Sequence, residues 1–198
     1  MVVGIYRQTD RLANRIPTHF HQVTGLHSAV MKFLPQDILL PLQEKYQEFQ
    51  AHVKSSASDP PETPYKSKYA AFNTLEEINA LLSRIETDDP ELQLNVDIIE
   101  CHVVLNCGVI KTEVEEPSMA EKLLLTSLSL CEKFDDRRFT VYCRVSAHNQ
   151  LGIIWFNRDE LDKARQNLET ALSLFYNFMS DQTNNNIWVF EDLLYPER

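Results

Sequence analysis

Residues 148–171 read HNQLGIIWFNRDELDKARQNLETA. Apolar residues recur at helical spacing on both sides of Asn157-Arg158-Asp159, which predicts two helices meeting at a short turn. The first is expected to end near Asn157, and Asp159 to open the second. Gly152 and Ala164, 12 residues apart, stand where two antiparallel helices approach most closely. Any larger side chain there would push them apart. Trp155 and Leu168 fill the space beside that contact, Leu151 precedes the glycine, and Ala171 leaves room for a following helix.

A weaker copy lies upstream, as Val104, Cys107-Gly108, Lys111, Ala120, Leu124 and Ser127. Gly108 and Ala120 are again 12 residues apart, and Gly108 precedes Gly152 by 44. Two of the chain's 4 glycines thus share one repeat position. The spacing follows the tetratricopeptide (TPR) pattern, although that repeat is usually about 34 residues long. The expected fold is all-α: TPR-like antiparallel helix pairs with lengthened helices, forming a short right-handed α-solenoid. Its repeat positions are Gly108, Ala120, Leu124, Leu151, Gly152, Trp155, Ala164, Leu168 and Ala171. Every one is a packing residue, so the pattern defines a fold and no catalytic site. Trp155 is expected in the core. His148 takes the place usually held by Trp and is expected to be buried or half-buried. Lys111 replaces the aromatic residue of the second copy.

The rest of the chain reads the same way. Leu39, Leu42, Tyr46, Phe49 and Val53 make a helical face over 36–54, with Pro41 best placed near its first turn. Residues 55–65, SSASDPPETPY, are a loop. The helical period resumes over 66–86 through Tyr69, Phe72, Leu75, Ile78, Leu82 and Ile85. Asp88-Asp89-Pro90-Glu91 is a helix start, with an Asp cap, Pro in the first turn and an acid near the positive helix end. That helix is expected to run from 90 to about 111, with Leu94, Ile98, Cys101, Leu105 and Gly108 on its face. Glu113 to Pro117 break it. Ser118 and Glu121 then form a capping-box signature before an apolar run ending near Phe134, and Asp135-Asp136 open the next helix. These readings divide the chain into a poorly ordered extension (1–35), a TPR-like domain (36–180) and a tail (181–198) with the apolar segment Ile187–Phe190.

Composition narrows the function. The chain has 19 Lys+Arg against 29 Asp+Glu, a net charge of −10. Such a surface repels phosphate backbones and disfavours nucleic acid. With 4 glycines, phosphate-binding loops and dinucleotide turns are disfavoured too. No apolar run reaches the ~20 residues of a membrane span, and no signal-peptide core is present. Arg7, Arg11 and Arg15 against Asp10 faintly resemble a mitochondrial presequence. Cys101, Cys107, Cys131 and Cys143 include no CxxC pair and are read as packing thiols in a reducing compartment. Cys101 and His102 are helix neighbours that diverge by about 100° and make no joint ligand set. His19-Phe20-His21 is not taken as a metal site. The acidic groups Asp88-Asp89, Glu113-Glu115-Glu116 and Asp135-Asp136 are read as solvated caps. No nucleophile, acid–base pair or cofactor loop converges, so no catalytic, cofactor-binding or metal residue is assigned and no small-molecule substrate is expected.

Two segments carry a family resemblance. One is Pro64-Tyr65-Lys66-Ser67-Lys68-Tyr69 with Leu75-Glu76-Glu77-Ile78 and Ala80-Leu81-Leu82; the other is Asn149-Gln150-Leu151-Gly152-Ile153-Ile154-Trp155 through Ala164-Arg165, Leu168-Glu169, Leu174 and Tyr176. The chain resembles the KIF-binding protein family, kinesin-binding TPR-like α-solenoids, over roughly residues 40–180 and in the family's amino-terminal third. The resemblance implies a cytoplasmic, cytoskeleton-associated, non-enzymatic protein that clasps kinesin motor domains and keeps them off microtubules. It further implies roles in axonal microtubule organisation, neuronal development and transport of mitochondria. Family members are several times longer, so this chain reads as a fragment, a truncated gene model or a short isoform, with a truncated non-functional fragment as one alternative to the kinesin-binding role. The alternative is a generic TPR adaptor. TPR clamps for C-terminal carboxylates use a Lys three before the Gly and an Asn one after it. Here those positions hold Asn149 and Ile153, or Leu105 and Val109.

Overall fold

Scarce glycine and apolar residues at spacings of three and four leave helix as the natural state of this backbone. The computed structural model describes residues 34–133 and 137–185. Expectations for residues 1–33, Asp135-Asp136 and Ile187–Phe190 lie outside them. Every regular element among the described residues is helical: six α-helices and one 3₁₀ turn. Contacts group the described residues before Ser127 into one unit and those from Ser127 onward into another.

In the first unit, α1 (Gln36–Ser55) continues into a 3₁₀ turn (Ser56–Ser58), followed by α2 (Lys66–Leu82), α3 (Pro90–Glu113) and the start of α4 (Pro117–Cys131). α1 packs on α2 and α2 on α3. Leu42, Tyr46 and Phe49 form the buried face of α1, whereas Val53, expected on that face, is exposed. Pro41 stands inside the helix, beyond the first turn. The helix starts earlier than proline's usual placement suggests because the Pro35 carbonyl accepts from Ile38 N–H and Leu39 N–H, opening the first turn. α2 stops at Leu82 rather than at 86, since Arg84 and Ile85 bond back to Leu81 and Leu82 in tighter, three-residue steps. Asp89 caps α3 as expected, its Oδ1 accepting Glu91 N–H at 2.9 Å, with Pro90 the first helical residue. Leu94 is 45% exposed and is not part of the packed face. From Val96 to Lys111 α3 is buried almost all round. Full burial of residues such as Leu75, Ile99, Leu105 and Leu124 contributes about 1.5–3 kcal/mol each.

The length and apolar character of α3 correct one expectation. By those criteria alone it is apolar enough to cross a membrane, with a mean hydropathy of 1.2 over its best 18 residues. That window is 72% buried within the fold, as befits a core helix.

In the second unit, α5 (Arg137–Asn157) packs on α6 (Leu161–Asn185). Val141, Val145, Ala171 and Leu172 form a core cluster, flanked by Tyr142, Leu174, Phe175 and Phe178.

The turns α3–α4 and α5–α6 have one geometry. Among the described residues, Glu115 and Asp159, each with φ 62°, are the non-glycine residues of positive φ. Glu115 N–H donates to Thr112 C=O at 3.2 Å and Glu116 N–H to Lys111 C=O at 2.9 Å. Correspondingly, Asp159 N–H donates to Phe156 C=O at 3.0 Å and Glu160 N–H to Trp155 C=O at 2.9 Å. This is the Schellman closure, in which a left-handed residue turns the chain back onto the last carbonyls of a helix. Ala120 and Ala164 N–H then donate to Glu116 and Glu160 C=O, both at 3.0 Å, opening the second helix. Asp159 therefore closes α5 instead of opening α6. Ser118 is not a cap either, because Pro117 already occupies the helix and Glu116 supplies the first carbonyl.

Candidate binding surface

The helix pairs are set by their small residues. A Cβ on Gly152 would lie 2.6 Å from Leu168 Cγ and 3.3 Å from the Ala164 carbonyl oxygen. On Gly108 it would lie 2.9 Å from Leu124 Cγ and 3.3 Å from Leu124 N. The same leucine, 16 residues after the glycine, closes both contacts. Ala120, Leu124, Leu151, Ala164, Leu168 and Ala171 are all buried.

Trp155 departs from the expectation: it is half-buried, not a core residue. Lys163 Nζ sits 4.4 Å, and Arg158 Cζ 5.0 Å, from its ring centroid. The equivalent position in the other hairpin inverts this arrangement. Lys111 is 8% exposed, its Nζ 4.2 Å from the Phe72 ring and 5.2 Å from the Tyr69 ring. Cation–aromatic attraction and a 2.9 Å ion pair to Glu116 compensate the buried ammonium.

Glu116 belongs to the Glu113-Glu115-Glu116 group, which is bonded to neighbours rather than simply solvated. Tyr69 Oη donates to Glu116 Oε1 at 2.8 Å, Tyr65 Oη to Glu115 Oε1 at 3.3 Å, and Lys68 pairs with Glu113 at 3.1 Å. Lys111 and Tyr69 together hold the Glu116 carboxyl below the usual carboxylate range, and the same bond holds the Tyr69 phenol above its ordinary value. The Pro64–Tyr69 segment is anchored from the other side by Asp59, which accepts Ser67 N–H at 2.8 Å and Ser67 Oγ–H at 2.6 Å. The motif ties the loop before α2 to the α3–α4 turn. Its Tyr and Lys spacing was visible in the sequence; its acidic counterpart, some 47–50 residues away, carried no local signal.

His148 is half-buried, with Nδ1 3.0 Å from Asn167 Oδ1. Asn167 Nδ2 donates to the Lys163 carbonyl, so its oxygen faces the ring and Nδ1 carries the proton. Burial holds this imidazole below its ordinary pKa. All four cysteines are buried and none is in a disulfide. Burial pushes the Cys107 thiol up to about 12, so it is no nucleophile at neutral pH. The thiols of Cys131 and Cys143 lie within 4.8 Å of each other, a soft donor pair of the kind d¹⁰ metal ions accept.

Fold and surface together define an all-α protein whose neighbouring helices pack against one another. No family model matches the chain, and no solved structure does. Seven curated proteins match it, all called KIF-binding protein. The Gallus gallus protein is 35% identical over 129 residues, which is 65% of this chain and 21% of that protein. The Rattus norvegicus protein is 30% identical over 171 residues (71% and 27%), and the Homo sapiens protein 27% identical over 172 (72% and 28%). The chain is a partial member of the KIF-binding protein family, spanning about a quarter of the length of the curated relatives it matches.

Proposed function

We propose that the chain is a non-enzymatic binding module for kinesin motor domains, acting in the cytoplasm at the cytoskeleton. By holding the motor it reduces microtubule attachment, and so influences axonal microtubule organisation, neuronal development and transport of mitochondria. One observation carries this reading: the seven relatives, aligned over 40–72% of the chain, share a name that states what they bind. A helical-repeat surface suits the role, because stacked helices present long faces to a folded partner.

The adaptor alternative fits less well. The two positions where a carboxylate clamp needs lysine hold Asn149 and Leu105, which are 2% and 0% exposed. Neither can grip a peptide terminus in solution.

The test is pull-down of purified kinesin motor domains by the purified chain, followed by counting motor landings on immobilised microtubules. Capture of at least one motor and reduced landing are expected. Failure to capture any motor domain at saturating concentration rejects the proposal.

A further inference from the structure

Phe72, Glu76 and Ala80 fall at intervals of four along α2 and therefore share one face. They line a recess in the first unit, floored by Val104 and Cys107 of α3 and walled on the far side by Leu123 of α4. Its volume is about 250 Å³. That is below the ~300–1,000 Å³ of pockets that enclose small molecules, and suits one or two protruding side chains. Met119, one turn before Leu123 on the same face of α4, is 47% exposed and prolongs the apolar surface.

The charge at the rim distinguishes this recess. Nearby carboxylates are matched internally: Glu77 with Lys45, Glu113 with Lys68 and Glu116 with Lys111. Glu76 is exposed at the mouth of the recess, and no cation pairs with it among the described residues. An apolar slot beside an unmatched carboxylate is complementary to an apolar side chain flanked by Lys or Arg. The net charge of −10 draws the same kind of segment.

We infer that the recess between α2 and α4 receives an apolar anchor residue of a basic amphipathic segment of the partner protein, with Glu76 pairing the adjacent cation. This rests on the kinesin-binding reading and adds a location and a chemistry to it. Glu76 and Ala80 belong to the Leu75–Leu82 element that carries part of the family resemblance. Both are exposed, so substituting them does not disturb the core.

The experiment titrates a captured kinesin motor domain against the full chain and three variants. Glu76→Lys reverses the rim charge, Ala80→Phe fills the recess, and Glu132→Lys makes the same charge change at an exposed site outside it. Thermal unfolding by circular dichroism shows that each variant is folded. Kd is expected to rise about five- to tenfold for Glu76→Lys and Ala80→Phe and to stay within about twofold for Glu132→Lys. Unchanged affinity in the first two variants overturns the recess while leaving motor binding intact. Absence of binding by the unaltered chain overturns both readings. Self-association of the chain that Ala80→Phe abolishes, with motor affinity unaffected, assigns the recess to a second copy and overturns the inference.

Discussion

Glu115 and Asp159, 44 residues apart, adopt the same left-handed backbone, φ 62° in each, and close their helices onto the carbonyls of Lys111 and Trp155. Holding a side chain in that region costs about 1–2 kcal/mol for most residues and less for Asp. Glycine removes the cost but adds about 0.5–1 kcal/mol of unfolded-state entropy. Glu115→Gly should therefore stabilise by about 0.5–1 kcal/mol and Asp159→Gly by less. Glu115→Val should destabilise by at least about 1 kcal/mol, because a β-branched residue fits positive φ poorly. Urea unfolding midpoints decide this.

Alanine at the two buried glycines pits helix propensity against overlap. Propensity favours Ala by about 1 kcal/mol, while overpacking costs about 1–3 kcal/mol. At Gly152 the new methyl would meet Leu168 Cγ at 2.6 Å, and at Gly108 it would meet Leu124 Cγ at 2.9 Å. Gly152→Ala should lose about 1–2 kcal/mol and Gly108→Ala no more than about 1. Combining Gly152→Ala with Leu168→Ala should cost less than the sum of the single losses, measured by a double-mutant cycle.

Much of this fold was legible because it depends on side-chain size and local period. The buried faces around Leu42 and Leu75 and the Asp89 cap follow from neighbours within a few residues. The helix ends were harder. At Asp159 and Ser118, residue types that favour helix starts were overruled by a closure made between main-chain amides and carbonyls. The Tyr69–Glu116 and Lys111–Phe72 contacts join separate helices, and spacing along one helix carries no trace of them. The recess beside Glu76 escaped notice for the same reason: its three walls come from three helices.

Lys111 should be sensitive to truncation. Lys111→Ala leaves the Phe72 and Tyr69 rings without their cation and Glu116 without its paired cation. A loss of about 2 kcal/mol is expected, since stem packing and cation–π attraction go together. Lys111→Met keeps the stem and should lose about half as much. Thermal unfolding of the two variants side by side tests the ordering.

Stability should depend on pH at both ends of the scale. The Glu116 carboxyl is depressed by Lys111 and Tyr69, so its contribution is present above about 4.3, the unfolded value, and is lost as pH falls through the folded one. The Tyr69 phenol is raised by Glu116, so its contribution is present below about 10 and is lost as pH rises through the folded value. Tyr69→Phe should flatten the alkaline limb and reduce the acid one. His148 is depressed by burial, so stability should also decline as pH drops below about 6.5, and His148→Gln should remove that slope. Urea midpoints between pH 3 and 11 measure all three.

The hairpin closures are built from amides and carbonyls, and this leaves their side chains free to drift. Position 111 holds a lysine seated between rings and position 155 a tryptophan covered by cations, yet the chain reverses identically at both. Selection can rewrite such a site, even exchanging charge for aromatic area, without moving a helix.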